Sequence, residues 1–280
     1  MNDAIEPEVF ATGFLSPEGP AFDRYGNLYI VDWDAGMVYR ITADPQIGPS
    51  DRATAFVNTG GMPTGSKFHR NGHLYVCDSG RGEVLDISPQ GNIRVAAADW
   101  EGQPLRGPND LIFAPNGDLY FTDPKGSSRE NPTGSVYLLR ADGTLERFAT
   151  GFAFPNGIAL SDDGRTLYLA ETLHNRIHRF ELDVQGHAVK RTIFAQLEGG
   201  VGPDGMAFDV EGNLYVAHFG KGVIAVLNPD GQLMAELPAG GARPTNVAFW
   251  ETTLYVTEVE YGQVVRLEVG IPGQVLFGLR

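Results

Sequence analysis

Along this chain apolar and polar residues alternate in short runs, such as Ala21-Phe22-Asp23 and Leu28-Tyr29-Ile30-Val31, the period-two pattern of half-buried strands. Between the runs stand Tyr25-Gly26-Asn27, Asn71-Gly72, Asn116-Gly117, Asp163-Gly164 and Glu211-Gly212, residues suited to reversing a hairpin. The pattern recurs with a fixed phase. A Pro-x-Gly-like turn stands at Pro17, Pro63, Pro108, Pro155, Pro203 and Pro244, with spacings of 46, 45, 47, 48 and 41. Each is followed, 10 to 12 residues on, by a Leu-Tyr pair: Leu28-Tyr29, Leu74-Tyr75, Leu119-Tyr120, Leu167-Tyr168, Leu214-Tyr215 and Leu254-Tyr255. A third strand then follows, and a fourth precedes the next turn. Four strands per repeat make one propeller blade, so six copies predict an all-β, six-bladed β-propeller of four-stranded antiparallel blades around a central channel. Residues 1–280 are expected to form one domain.

One stretch breaks the count in a useful way. Val9-Phe10-Ala11-Thr12-Gly13-Phe14 closely matches Arg147-Phe148-Ala149-Thr150-Gly151-Phe152, which is an outer strand. It is expected to complete the sixth blade and close the ring without an open edge. The tail around Gln274 to Phe277 competes for that place.

Composition narrows the picture. The 36 Gly and 18 Pro disfavour long helices, and a net charge of −14 makes nucleic acid or an anionic bilayer a poor partner. A single cysteine, Cys77, excludes an internal disulfide framework and paired-cysteine zinc or redox sites. The first eight residues are acidic and lead into no apolar segment, unlike a signal peptide. The longest aliphatic runs, such as Val223-Ile224-Ala225-Val226-Leu227, fall far short of the ~20 residues that cross a bilayer. A soluble cytoplasmic protein is expected, and a monomer, because a closed propeller leaves no edge strand that demands a partner.

The repeat also turns spacing into proximity. The residue after each Pro and the residue three beyond each Tyr should meet at one mouth of the channel. The inner ring then reads Glu18, Thr64, Asn109, Asn156, Asp204, Thr245, and the second reads Asp32, Asp78, Asp123, Glu171, His218, Glu258. Blades one, three, four and five thus offer two carboxylates and two amide oxygens toward one axis. Two carboxylates facing each other would repel unless one is protonated or a cation is present. All-oxygen ligands favour Ca²⁺ or Mg²⁺ over copper or iron, with Zn²⁺ or Mn²⁺ able to occupy the same set; the alternative is a water-filled polar channel. In the second ring, Asp32, Asp78 and Glu258 read as acceptors for backbone N–H groups at strand ends. Asp123, Glu171 and His218 lie behind Asn109, Asn156 and Asp204 and are candidate substrate contacts; His218 is either a proton shuttle or a hydrogen-bonded wall residue.

At these residues the sequence resembles the family of senescence marker protein (regucalcin), gluconolactonases and related lactone hydrolases. The marks are Ser16-Pro17-Glu18-Gly19-Pro20, Gly107-Pro108-Asn109-Asp110, Tyr120-Phe121-Thr122-Asp123-Pro124, Phe154-Pro155-Asn156-Gly157 and Pro203-Asp204-Gly205. The resemblance implies a propeller with a catalytic divalent ion, usually Ca²⁺, bound by Glu18, Asn156 and Asp204. Asn109 would be a fourth ligand or a substrate contact, and Asp204 would double as base or nucleophile. It further implies hydrolysis of a small lactone. Arg106 stands three residues before Asn109, where animal aldonolactonases carry an arginine two before, so its place as a substrate clamp departs from the pattern. Rival expectations are a phosphotriesterase resembling diisopropyl fluorophosphatase, a non-catalytic calcium-binding propeller, and a metal-free lyase or condensing propeller.

Overall fold

The computed structural model describes residues 5–279; the first half of the acidic N-terminal stretch, residues 1–4, lies outside them. Six four-stranded antiparallel sheets follow one another around a ring. Blade 1 runs through Pro17–Phe22, Leu28–Asp32, Met37–Ile41 and Ala53–Asn58, and blades 2 to 5 repeat that order from the axis outward. In blade 6 the inner three strands, Pro244–Trp250, Thr253–Glu258 and Gln263–Glu268, are joined on the outside by Glu8–Thr12 from the other end of the chain. The repeat match of residues 9–14 therefore located the closing strand, as expected. No helix among the described residues is long and apolar enough to cross a membrane.

The Leu-Tyr signature has a packing explanation. Each of six apolar clusters sits between two neighbouring blades, so the core is a ring of interfaces. The tyrosine of one blade meets, edge to face, the phenylalanine at or one residue before the end of the inner strand of the next. The pairs are Tyr29 with Phe68, Tyr75 with Phe113, Tyr168 with Phe208, Tyr215 with Phe249 and, across the closure, Tyr255 with Phe22, at 5.0 to 5.1 Å between ring centres. Such pairs add about 0.5–1.5 kcal/mol each beyond the area they bury. Blade 4 carries Leu160 at that position. Tyr120 instead meets Phe148 of its own blade and donates its hydroxyl to Gly186 O at 2.6 Å.

The tail near residue 274 does not take an outer-strand position. It crosses the channel end opposite the proline turns: the Gln274 N–H donates to Phe208 O, its side chain donates to Leu160 O, and Phe277 packs against His69 and Phe113. One end of the channel is thereby covered by apolar side chains, leaving the proline-turn end as the mouth.

Candidate functional site

The mouth is built by a repeated irregularity. Strand pairing slips where the inner strands of blades 1, 2, 4, 5 and 6 begin, between Glu18 and Ala21, Pro63 and Ser66, Pro155 and Ile158, Pro203 and Met206, and Pro244 and Asn246. A bulge of this kind re-aims a side chain. Glycine lets the strands converge: a Cβ on Gly157 would collide with the Asp204 carbonyl, and one on Gly205 with the Asn246 side chain. Blades 3 and 6 break the glycine rule with Asp110 and Asn246, which fill the space left by glycine in the preceding blade.

These two residues belong to the site, and spacing did not single them out. Glu18, only 6 % exposed, accepts a hydrogen bond from Asn246 Nδ2 at 3.0 Å through Oε1. Its Oε2 is buried with no hydrogen-bond partner. The Asn246 amide also reaches the Asp110 carboxylate, whose oxygens accept from the Leu111 and Ile158 N–H groups at 2.8 and 3.3 Å. Asn156 hydrogen-bonds Asp204 and donates from Nδ2 to Thr172 Oγ1 at 3.2 Å. Asn109 holds its place by its backbone: its N–H donates to Thr122 O at 2.8 Å and its carbonyl accepts from Thr64 Oγ1 at 2.9 Å. Thr245 Oγ1 is likewise committed, 2.9 Å from Pro17 O and 2.8 Å from Thr257 Oγ1. The two threonines of the inner ring thus tie their blades to the backbone at Asn109 and to the strand that carries Glu18.

The second ring holds loops. Asp32 accepts from the N–H groups of Leu15, Ser16 and Ala35; Asp78 from Met62 and Arg81; Glu258 from Arg243, Glu260 and Tyr261. Asp123 accepts from Arg106 and Gly107 N–H at 3.0 and 2.7 Å, two residues ahead of Asn109. The Arg106 guanidinium is exposed and donates to Thr133 Oγ1 at 2.8 Å, tethering the long mouth loop 125–134. Glu171 is fully buried and gathers four donors: Ala153 N–H, His174 Nδ1, Arg176 Nε and His178 Nε2, at 2.7, 2.9, 2.6 and 2.7 Å. His218 lies 3.0 Å from Gly199 O through Nε2, and burial pushes its pKa down.

Electrostatics separate the axis from its surroundings. Burial first, then the carboxylates of Asp204 and Asp110, hold Glu18 well above the usual range. Burial and Asp110 do the same to Asp204, and burial raises Asp110. One ammonium faces them, Lys67, 7 % exposed, with Nζ donating to Ser66 O at 3.1 Å. Among the described residues no group of three or more His, Cys, Asp or Glu side chains is gathered as a metal cage. The set at the axis is of another kind: Glu18 and Asp204 with the Asn156 amide, which hydrogen-bonds Asp204. It fits a hard divalent cation on two counts. Glu18 Oε2 lacks any partner, and an added positive charge would relieve the repulsion that Glu18, Asp204 and Asp110 share beside one ammonium.

Comparison with known proteins agrees with this architecture. The family model described as SMP-30/Gluconolactonase/LRE-like region matches residues 16–260. The chain is 31 % identical to diisopropyl-fluorophosphatase of Loligo vulgaris, over 90 % of this chain and 88 % of that one. It is 32 % identical to lactonase drp35 of Staphylococcus aureus, over 80 % and 69 %. A gluconolactonase structure from Xanthomonas campestris superposes with a TM-score of 0.83 at 27 % identity, covering 96 % of this chain and 90 % of that one. With most of its length matched, this chain belongs to the SMP-30/gluconolactonase/LRE-like family.

Proposed function

We propose that this chain is a divalent-cation-dependent hydrolase that opens small lactones, working as a single chain without nucleic acid or membrane. The observation that carries the reading is the unpartnered Glu18 Oε2 buried beside Asp204 at the blind channel's axis. Glu18, Asn109, Asn156 and Asp204 would hold the cation, with Ca²⁺ the best match to four oxygen donors on a wide axis. When bound, such an ion supplies Lewis-acid polarisation of an ester carbonyl. Asp204, the less buried of the two carboxylates, is the group assigned to take the proton of the attacking water or to attack in its place. Asn109 is assigned to orient the substrate oxygen beside it. Arg106, exposed over the mouth loop, is assigned a contact with the substrate rim. Asp123 and Glu171 serve that contact through the loops they hold. His218, kept neutral by burial, is assigned to the wall.

The test is hydrolysis of gluconolactone, a five-carbon sugar lactone, dihydrocoumarin and a fluorophosphate, with spontaneous opening subtracted, before and after chelation and after adding back Ca²⁺ or Zn²⁺. Lactone turnover that vanishes with chelator and returns with one ion is expected. Asp204→Asn is expected to lower it about 10³-fold, within the range for losing a general base; full activity in that variant removes Asp204 from its role. The likeness to the Loligo vulgaris fluorophosphatase over 90 % of the chain favours a second reading, phosphotriester hydrolysis at the same site. Fluorophosphate turnover tenfold above lactone turnover would establish that reading instead.

A further inference from the structure

We propose that Thr172 is a positioning residue that sets the orientation of two ligand-bearing strands at once, those of Asn156 and Asp204. The inference rests on the reading of the axis as a cation site. Thr172 is 6 % exposed and lies in a single 3-10 turn, Thr172–His174, between the second and third strands of blade 4. Its Oγ1 lies 2.7 Å from Pro203 O and 3.2 Å from Asn156 Nδ2.

Chemistry decides the direction of both bonds. A carbonyl oxygen only accepts, so the single hydroxyl proton goes to Pro203, the residue next to Asp204. The hydroxyl oxygen must then accept from Asn156, and an amide can donate only through its nitrogen. One amide hydrogen is held by Thr172 and the same side chain hydrogen-bonds the Asp204 carboxylate. With its nitrogen so occupied, Asn156 keeps Oδ1 for the axis. Thr172→Val would leave the amide free to turn, presenting N–H groups where a cation needs an oxygen.

The backbone of Thr172 makes the same connection. Its N–H donates to Phe154 O at 3.1 Å, two residues before Asn156. Phe154 itself sits at φ 61°, a conformation disfavoured for a side chain of its size. It is retained there because Ser127 Oγ accepts from its N–H at 2.8 Å and donates to Phe152 O at 2.7 Å. On the other side, Gly202 packs so closely that a Cβ there would collide with the Thr172 carbonyl. The turn is thus wedged between the starts of two inner strands, and its hydroxyl joins the Asn156 side chain to the carbonyl beside Asp204.

The test compares Thr172→Val, which keeps the shape, with Thr172→Ser, which keeps the hydroxyl. Ca²⁺ alone is titrated calorimetrically into chelated and dialysed protein. Outer-shell partners of metal ligands typically contribute 10–100-fold in affinity, so Thr172→Val is expected to bind Ca²⁺ at least about tenfold more weakly. Thr172→Ser is expected to stay close to wild type. A second readout needs no cation: the Asn156 side-chain amide resonances of the chelated protein should move in Thr172→Val and stay in Thr172→Ser. Wild-type affinity in Thr172→Val, equal losses in both variants, or unmoved Asn156 resonances would overturn the proposal. If the wild-type chain takes up no divalent cation, the cation reading fails by itself, and the amide resonances still decide whether Thr172 orients Asn156.

Discussion

Glu18 and Glu171 are both buried glutamates at the same mouth, one in the inner ring and one in the second, yet their surroundings drive them in opposite directions. Glu18 receives one hydrogen bond, from a neutral amide, and faces two other carboxylates; its pKa is pushed well up, by burial first and by Asp204 and Asp110 next. Glu171 is buried at least as deeply, and burial again acts to raise it, but His178, Arg176, Ala153 N–H and His174 together outweigh that and hold it well below the usual range. Depth of burial therefore does not tell a satisfied carboxylate from an unsatisfied one. The count and charge of donors does.

The sharpest way to break this comparison is to neutralise the satisfied member. Glu171→Gln keeps the shape but leaves Arg176 and the buried His178 without their counter-charge, and loosens the Ala153 N–H that leads to Asn156. Removing one partner of a buried pair typically costs 3–5 kcal/mol; Arg176 is partly exposed, so a loss of about 3 kcal/mol is expected, read by urea unfolding at pH 7.5. A loss under about 0.5 kcal/mol, the level of an ordinary surface substitution, would show that the network does not hold blade 4.

Acid should produce a smaller version of the same loss. The groups facing Glu171 are His174, Arg176 and His178, and Arg191 faces His178 from the outer strand, its Nε 3.2 Å from Nδ1. Burial lowers the folded pKa of His178 below its ordinary value of 6.5. The folded state therefore binds fewer protons, and stability falls as pH drops from 6.5 through the lowered value. Glu171, depressed below 4.5, contributes stability that is present above 4.5 and lost as pH falls further. Unfolding followed from pH 7.5 to 4 should show a decline that Glu171→Gln steepens below 6.5, because the carboxylate that offsets the burial of His178 is gone. An unchanged slope in that variant would place the acid-sensitive groups elsewhere.

What spacing could and could not reveal follows from where the contacts lie. The Pro-x-Gly and Leu-Tyr periods were legible because each blade repeats the same local problem: a tight start at the axis and a tyrosine that must meet the next blade's phenylalanine. The closing strand was legible because residues 9–14 copy residues 147–152. The tail was not, because its place depends on apolar strand ends from several blades that converge only in the folded ring. Around the mouth, the one-per-blade rule singled out Glu18, Asn109, Asn156 and Asp204 but passed over Asp110, Asn246, Lys67 and Thr172, which the structure places against them. Two of these carried a readable signal, since Asp110 and Asn246 replace the glycine found in the other four blades. Thr172 carried none, because its meaning lies in a bond from blade 4 to Pro203 of blade 5.

The finest test acts on the unsatisfied member, and its sign should be reversed. In chelated protein at neutral pH, Glu18 either keeps a buried charge beside Asp204 and Asp110 or takes up a proton to avoid it, and both alternatives weaken the folded state. Glu18→Gln removes the choice. Its amide oxygen can still accept from Asn246 Nδ2, and its uncharged NH₂ group no longer sets a charge against Asp204 and Asp110. A gain of about 1 kcal/mol is expected without cation, a rise in melting temperature of roughly 2–4 °C for a domain of this size. Adding Ca²⁺ should then stabilise wild type and no longer the variant, because the ligand that binding rewards is gone. A Glu18→Gln protein that melts lower than wild type under chelation would mean that Glu18 is already satisfied as it stands, and the contrast with Glu171 would collapse.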